Sequence, residues 1–390
     1  MARLTNQLLR KRDNDIAIVS FSELLFDVIY VFAVMQLSHY LLHNLTWIGV
    51  IQETILWFAV WMIWQHTVWV TNWFDPESKR IRLLLFVIML AGLLMLSSIP
   101  YAFGDRGMIF ASCYVLIQVG RTLVILLIIG NKHQLSANFK RILGWFCISG
   151  LFWIGGLFFE GSVRIILWLI AVICDYTSPM FGFALPFLGR SDSKTEWTIE
   201  GHHLVERCQL FVIIAFGEIV LMTGSSLSEL EAWDSSVILS TIILFTGSMA
   251  MWWIYFDVSS EAGSAKIRKV NDPGWLALEY NAVHVVLVGA IIISAVGDEL
   301  IILHPHEKIA SESVFVLIIG PAIYLVANSV YKWLACHIIP VSHIIGVSLL
   351  LLLIPFSSRI NLLMINIIVT AILVLVIVYD IIKPDKVCKL

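Results

Sequence analysis

Apolar stretches of about twenty residues, each closed by a short polar or basic connection, recur along the whole chain. A hydrocarbon core about 30 Å thick takes some 20 residues of α-helix to cross. The pattern therefore predicts twelve spans, near residues 21–42, 47–71, 82–101, 108–130, 139–160, 163–189, 203–225, 235–257, 277–297, 312–331, 333–354 and 361–382. The longest connections, near 189–202 and 258–276, are too short to bury a core of their own. The expected fold class is an all-α polytopic membrane protein, and an even number of spans leaves both termini on one side.

Composition agrees: 59% of residues are hydrophobic and the mean hydropathy is +0.89, above the roughly 45–50% apolar usage of soluble domains. Basic residues decide the orientation. They occupy the amino-terminal tail (Arg3, Arg10, Lys11, Arg12) and alternate connections (Lys79, Arg80, Arg82; Lys132, Lys140, Arg141; Arg190, Lys194; Lys266, Arg268, Lys269; Lys332; Lys383, Lys386, Lys389). Only Arg106, Arg164, Lys308 and Arg359 fall on the other side. The positive-inside rule then places both termini in the cytoplasm.

The basic stretch ahead of the first apolar run resembles the start of a signal peptide. That run is too long, carries two acids and lacks a small-residue cleavage site, so it reads as a retained span. A net charge of −3, with basic residues spread over short loops, argues against nucleic acid as a partner. Cys113, Cys147, Cys174, Cys208, Cys336 and Cys388 form no C-x-x-C pair and are expected to be small apolar packers. G-x-S-x-G, P-loop and G-x-G-x-x-G motifs are lacking, which argues against an ATP-driven pump and nominates no catalytic residue.

The polar stretch around 191–201 is a natural linker between halves at 1–190 and 202–390, each with six spans. Two pairs of markers suggest that the halves are parallel repeats. Asn72-x-Phe74-Asp75 closes the second span as Trp252-Trp253-x-Tyr255-Phe256-Asp257 closes the eighth, and Glu23 precedes Glu206 by almost the same interval.

Ionisable residues inside spans are the chief candidates for function, since one at the bilayer centre costs roughly 2.5–3.5 kcal/mol on the lenient insertion scale. Glu23 and Asp27 lie a turn apart on one face of the first span. With His66, Asp75, Glu206, Arg207, Asp257, Glu279 and His284 they form a layer toward the cytoplasmic side. A second layer near mid-membrane holds Gln36, Arg121, Asp175 and Glu218. Arg121 is the only basic side chain at that depth, so Asp175 or Glu218 is its expected partner. Such a pair would either lock helices together or be broken and remade by a proton or substrate.

Asp175 precedes Tyr176-Thr177-Ser178-Pro179, with Pro186 beyond, and proline frees a carbonyl one turn back. A kink or break just past the acid is expected, either lining a cavity or filled by Thr177 and Ser178. On the seventh span Glu206, Gly217 and Gly224 share an azimuth that invites close helix contact, with Glu218 beside it. Trp57, Trp61, Trp64, Trp69 and Trp73 recur at helical spacing on the second span, as a packing or interfacial face. His39, His66, His202, His203, His284, His337 and His343 show no H-x-x-x-H spacing among themselves, and Asp298, Glu299, His304, His306 and Glu307 read as a solvated outer loop, so no metal site is nominated.

Phe21-Ser22-Glu23-Leu24-Leu25-Phe26-Asp27-Val28-Ile29-Tyr30-Val31-Phe32-Ala33, followed by Gln36-Leu37-Ser38-His39, resembles the first-span signature of the bacterial low temperature requirement protein A (LtrA) family. His203-Leu204-Val205-Glu206-Arg207 with Phe211-Val212-Ile213-Ile214-Ala215-Phe216-Gly217-Glu218, and the Phe-Asp endings at 74–75 and 256–257, are similar to family features. The resemblance runs over most of the chain, with Cys208-Gln209 standing where Phe-Gly is expected. It implies a bacterial plasma-membrane protein and leaves the biochemical activity open.

The leading expectation is a secondary transporter or permeation protein for a small solute or ion, with proton coupling through intramembrane acids. Glu23, Asp27, Glu206 and Arg207 would form its cytoplasmic gate or proton site, and Arg121, Asp175 and Glu218 its mid-membrane site. The alternatives are a membrane-embedded enzyme or lipid- or cofactor-binding protein, and a structural or sensory protein for adaptation to cold. The bilayer is the one partner that composition implies. The cofactor, the solute, ion or lipid handled, and the oligomeric state stay unknown from sequence.

Overall fold

The computed structural model describes residues 8–10, 19–257, 263, 265–267, 270–308 and 313–383. Arg3, Lys11, Arg12, Arg268, Lys269, Lys386, Lys389 and Cys388 lie outside the described residues. Among those described are twelve helices long and apolar enough to cross a membrane. They are α1 (Phe21–His43), α2 (Trp47–Trp73), α3 (Lys79–Ser97), α4 (Gly107–Ile129), α5 (Ser136–Gly155) and α6 (Ser162–Met180). There follow α7 (Gly201–Glu229), α8 (Ser235–Phe256), α9 (Pro273–Leu303), α10 (Gly320–Cys336, preceded by a π-helical turn that makes the span Phe315–Cys336), α11 (Val341–Leu353, continued by 3-10 turns that make the span Val341–Arg359) and α12 (Leu362–Ile382).

The chain forms two compact units. The first comprises Met1–Tyr40, Ile51–Arg207 and Ile267–Leu278; the second comprises Leu41–Val50, Cys208–Lys266 and Glu279–Leu390. In the first, α4 packs against α3 and α5, and α5 against α6; in the second, α8 packs against α12 and α11 against α10 and α12. Exposed leucines such as Leu83, Leu90 and Leu94 on α3 lie outside while charged side chains lie within. That arrangement suits a hydrocarbon solvent, in which backbone polar groups are satisfied inside the helices.

Helix ends follow local chemistry. Asp234 accepts a hydrogen bond from Val237 N at 2.8 Å and Asn361 from Met364 N at 2.9 Å, capping α8 and α12. Helix α6 stops at Met180 rather than running to 189. Beyond Pro179 the chain turns through Gly182 (φ 61°) and Phe183 (φ 50°). A Cβ at Gly182 would lie 2.6 Å from Ser191 O, so both the conformation and the close approach require glycine there. Helix α10 ends where His337 takes φ 56°, and Pro340 precedes α11.

Three further expectations are corrected. Asp298 and Glu299 are the last turns of the 31-residue helix α9, not a solvated loop. Among the described residues, outside the helix's own backbone, nothing lies within 4 Å of a Cβ added at Gly217 or Gly224, and both glycines are exposed, so these two positions make no close helix contact there. Cys336 is disulfide-bonded rather than a free packer. The tryptophans of α2 do pack: the rings of Trp61 and Trp64 are 4.7 Å apart and those of Trp57 and Trp61 5.5 Å.

Candidate functional site

At the amino-terminal end of α1, Glu23 and Asp27 meet Arg207 from the first turns of α7, all within the first unit. Arg207 Nη1 lies 3.1 Å from Glu23 Oε1, and Arg207 Nη2 donates to Asp27 Oδ1 at 2.6 Å. Trp64 of α2 donates its indole N–H to the same oxygen at 2.8 Å. Glu23, 1% exposed, also pairs with Arg10 at 3.2 Å and with His203 Nε2 at 2.9 Å. Asn72 holds the His203 ring, its amide N–H reaching Nδ1 at 3.1 Å, while Nε2 lies 2.9 Å from Glu23 Oε1 and 3.0 Å from Arg10 Nη1. Two carboxylates thus face two guanidinium groups and one imidazole, a balanced arrangement that a buried cluster needs.

Not every residue of that layer joins. Glu206, beside Arg207 in sequence, is half-buried with its Oε2 unmatched by a hydrogen bond among the described residues. Asp75 lies just past α2, where its Oδ1 accepts from Glu77 N at 2.9 Å and its own N–H donates to Leu8 O. Asp257 is the exposed residue that ends α8. His284 of the second unit is buried, its Nδ1 2.7 Å from Tyr280 O and its Nε2 2.7 Å from the Tyr255 hydroxyl. Gln36 is half-buried on α1.

Arg121 departs from the expected direct pair with Asp175. It is 2% exposed, and its Nη1 donates to Thr67 Oγ1 at 2.9 Å and to Ile63 O at 3.3 Å. Its Nη2 donates to Gln118 Oε1. Gln118 Nε2 then reaches the Tyr114 hydroxyl at 3.4 Å, and Tyr114 donates to Asp175 Oδ2 at 2.6 Å. Base and acid are thus joined through two neutral side chains, at positions 114, 118 and 121 along one face of α4. Among the described residues no direct ion pair joins them; each charge is met by neutral groups instead.

The same guanidinium borders a cavity of about 20 Å³ between α2, α4, α5 and the turn after α6, lined also by Gln65, His66, Trp69, Asn138, Phe183 and Trp197. In the second unit, Glu218 is 1% exposed and neither carboxylate oxygen has a hydrogen bond among the described residues. Asp298 borders a separate cavity of about 40 Å³ with Ser248, Ser294, Asn366 and Thr370.

Sequence reasoning nominated Glu23, Asp27 and Arg207, which the fold brings together, but missed His203, Trp64, Tyr114 and Gln118. The spacing of the last two from Arg121 was available as a signal. It also missed Glu53, buried on α2 with Oε1 unmatched by a hydrogen bond among the described residues.

Twelve apolar helices with charged groups packed inward define a many-span helical membrane protein. The family model for bacterial low temperature requirement A protein (LtrA) matches residues 18–378, and the chain belongs to that family. It is 36% identical over 366 residues to the uncharacterized protein RA0937 of Rhizobium meliloti (strain 1021), covering 92% of this chain and 88% of that one. No solved structure matches it.

Proposed function

We propose that this protein is a secondary transporter or permeation protein of the bacterial plasma membrane, with both termini in the cytoplasm. It moves a small solute or ion with proton coupling through intramembrane acids. The observation that carries this reading is Glu218. A carboxyl at 1% exposure with neither oxygen hydrogen-bonded is costly when ionised, by several kcal/mol after relaxation. A purely structural acid is met by donors, as Glu23 is. An acid that takes up and releases a proton during a cycle must be able to stand without them in one state. The relay from Arg121 to Asp175 supports the same reading, because Asp175 can change protonation without breaking a direct ion pair. The Glu23–Asp27–Arg207 cluster is the gate or anchor that holds α1, α2 and the first turns of α7 together.

The test is flux in proteoliposomes under imposed pH and ion gradients. Wild-type protein is expected to move a solute or protons down the gradient, and Glu218→Gln, eluting as the same species on size exclusion, is expected to lose the pH-driven component. If nothing moves, or if Glu218→Gln behaves as wild type, the reading fails.

A further inference from the structure

We infer that the cavity bordered by Arg121 is a binding site for a small monovalent anion of about chloride size. Among the described residues no carboxylate contacts the Arg121 guanidinium, and its hydrogen bonds go to a threonine hydroxyl, a backbone carbonyl and a glutamine amide. Neutral acceptors solvate a buried cation only in part, so its charge stays open to an anion.

The other walls present donors. Asn138 is 0% exposed, and its Oδ1 accepts from Ser191 Oγ at 2.7 Å and from Trp197 Nε1 at 3.2 Å. Two donors on the oxygen fix which way the amide faces. Its Nδ2 is left buried with no hydrogen bond among the described residues. Trp69, 7% exposed, has an indole nitrogen in the same condition, and indole N–H can only donate. His66 Nε2 is buried and unmatched as well, and the neutral ring can carry its proton there. His66, Trp69 and Asn138, each with an unmatched nitrogen, thus line one cavity together with Arg121, and none of its lining residues is Asp or Glu. Buried donors without acceptors each cost free energy, and a single anion would satisfy them together.

Size and construction narrow the occupant. About 20 Å³ is the room of one water-sized particle, which suits a halide and excludes a sugar acid. One wall is held by Phe183, a bulky residue at φ 50° whose ring lies 6.2 Å from that of His66 and 6.0 Å from that of Trp197. A left-handed conformation at such a residue persists only where its surroundings hold it there.

As the cargo site of the proposed transporter this rests on the transport reading; as a binding site it does not. The test uses the full-length protein in detergent at constant ionic strength, with sodium chloride replacing sodium gluconate while melting temperature and calorimetric heat are followed. The expected result is a saturable, chloride-specific rise in melting temperature that gluconate does not give. Trp69→Phe keeps the ring and removes the donor, and is expected to weaken the apparent affinity about tenfold; Arg121→Gln is expected to abolish the response. No chloride-specific effect in the wild type, or a Trp69→Phe titration identical to it, overturns the inference. Chloride binding without flux would sink the transport reading and leave the site standing. Flux without chloride binding would do the reverse.

Discussion

Asp27 and Arg207 show what a single buried charge requires of its neighbours. Asp27→Asn keeps an oxygen for the Trp64 indole but removes the charge that Arg207 Nη2 meets at 2.6 Å. The expected loss is about 2 kcal/mol, since Arg207 keeps Glu23 at 3.1 Å but loses one of its two charged partners. It would be seen as a lower melting temperature in detergent, and Arg207→Met should cost more than Asp27→Asn, because it takes a partner from both Glu23 and Asp27. Outside the spans, Glu77 accepts from the Ser22 hydroxyl at 2.9 Å, and that bond, with the nearby Arg82 guanidinium, holds its carboxyl below the usual range. A lowered folded-state value adds stability above the ordinary carboxylate range and loses it as pH falls through the shifted value. The side chain is exposed, so the effect is small. The melting temperatures of wild type and Glu77→Gln should therefore differ by a small constant amount above the ordinary carboxylate range and converge as pH falls through the shifted value.

At the scale of elements, the turn after α6 is set by backbone geometry rather than by apolar pattern. Hydropathy alone runs the sixth span on to 189, because Phe181, Phe183, Leu185 and Phe187 are as apolar as the helix before them. The positive φ values at Gly182 and Phe183 end it earlier, and this brings Phe183 to the cavity wall. Gly182→Ala is expected to cost about 1–2 kcal/mol, through the left-handed conformation and the approach to Ser191 O. Gly217→Ala and Gly224→Ala on α7, where an added methyl meets nothing within 4 Å, should instead be neutral or stabilising. Parallel thermal unfolding of the three variants checks the contrast; equal losses at all three positions would mean that the glycines of α7 do make close contacts.

For the whole molecule, the distribution of basic residues leads to an expected topology in which both termini are cytoplasmic. A fluorescent-protein fusion after Lys383 is expected to glow, and alkaline phosphatase inserted after Lys308 to be active. The opposite pair of results would invert the assignment.

Span number, helical class and family were legible in the sequence because each span must satisfy its backbone within itself and hide it behind about twenty apolar side chains. That constraint is local, so it is written along the chain. The Glu23–Asp27 pair was legible for the same reason, as an exception to the rule in one window. Which charges meet was not legible. Arg121 could be named as costly but not paired, because its true neighbours, Thr67, Gln118 and the carbonyl of Ile63, are polar groups whose worth depends on where they sit in three dimensions. The unmatched nitrogens of His66, Trp69 and Asn138 are invisible in a list of residue types, since all three occur as ordinary packing or capping residues. Only the tertiary structure decided that they share one small cavity with a buried guanidinium, because hydrogen bonds act over about 3 Å and that proximity is set by helix packing rather than by spacing along the chain.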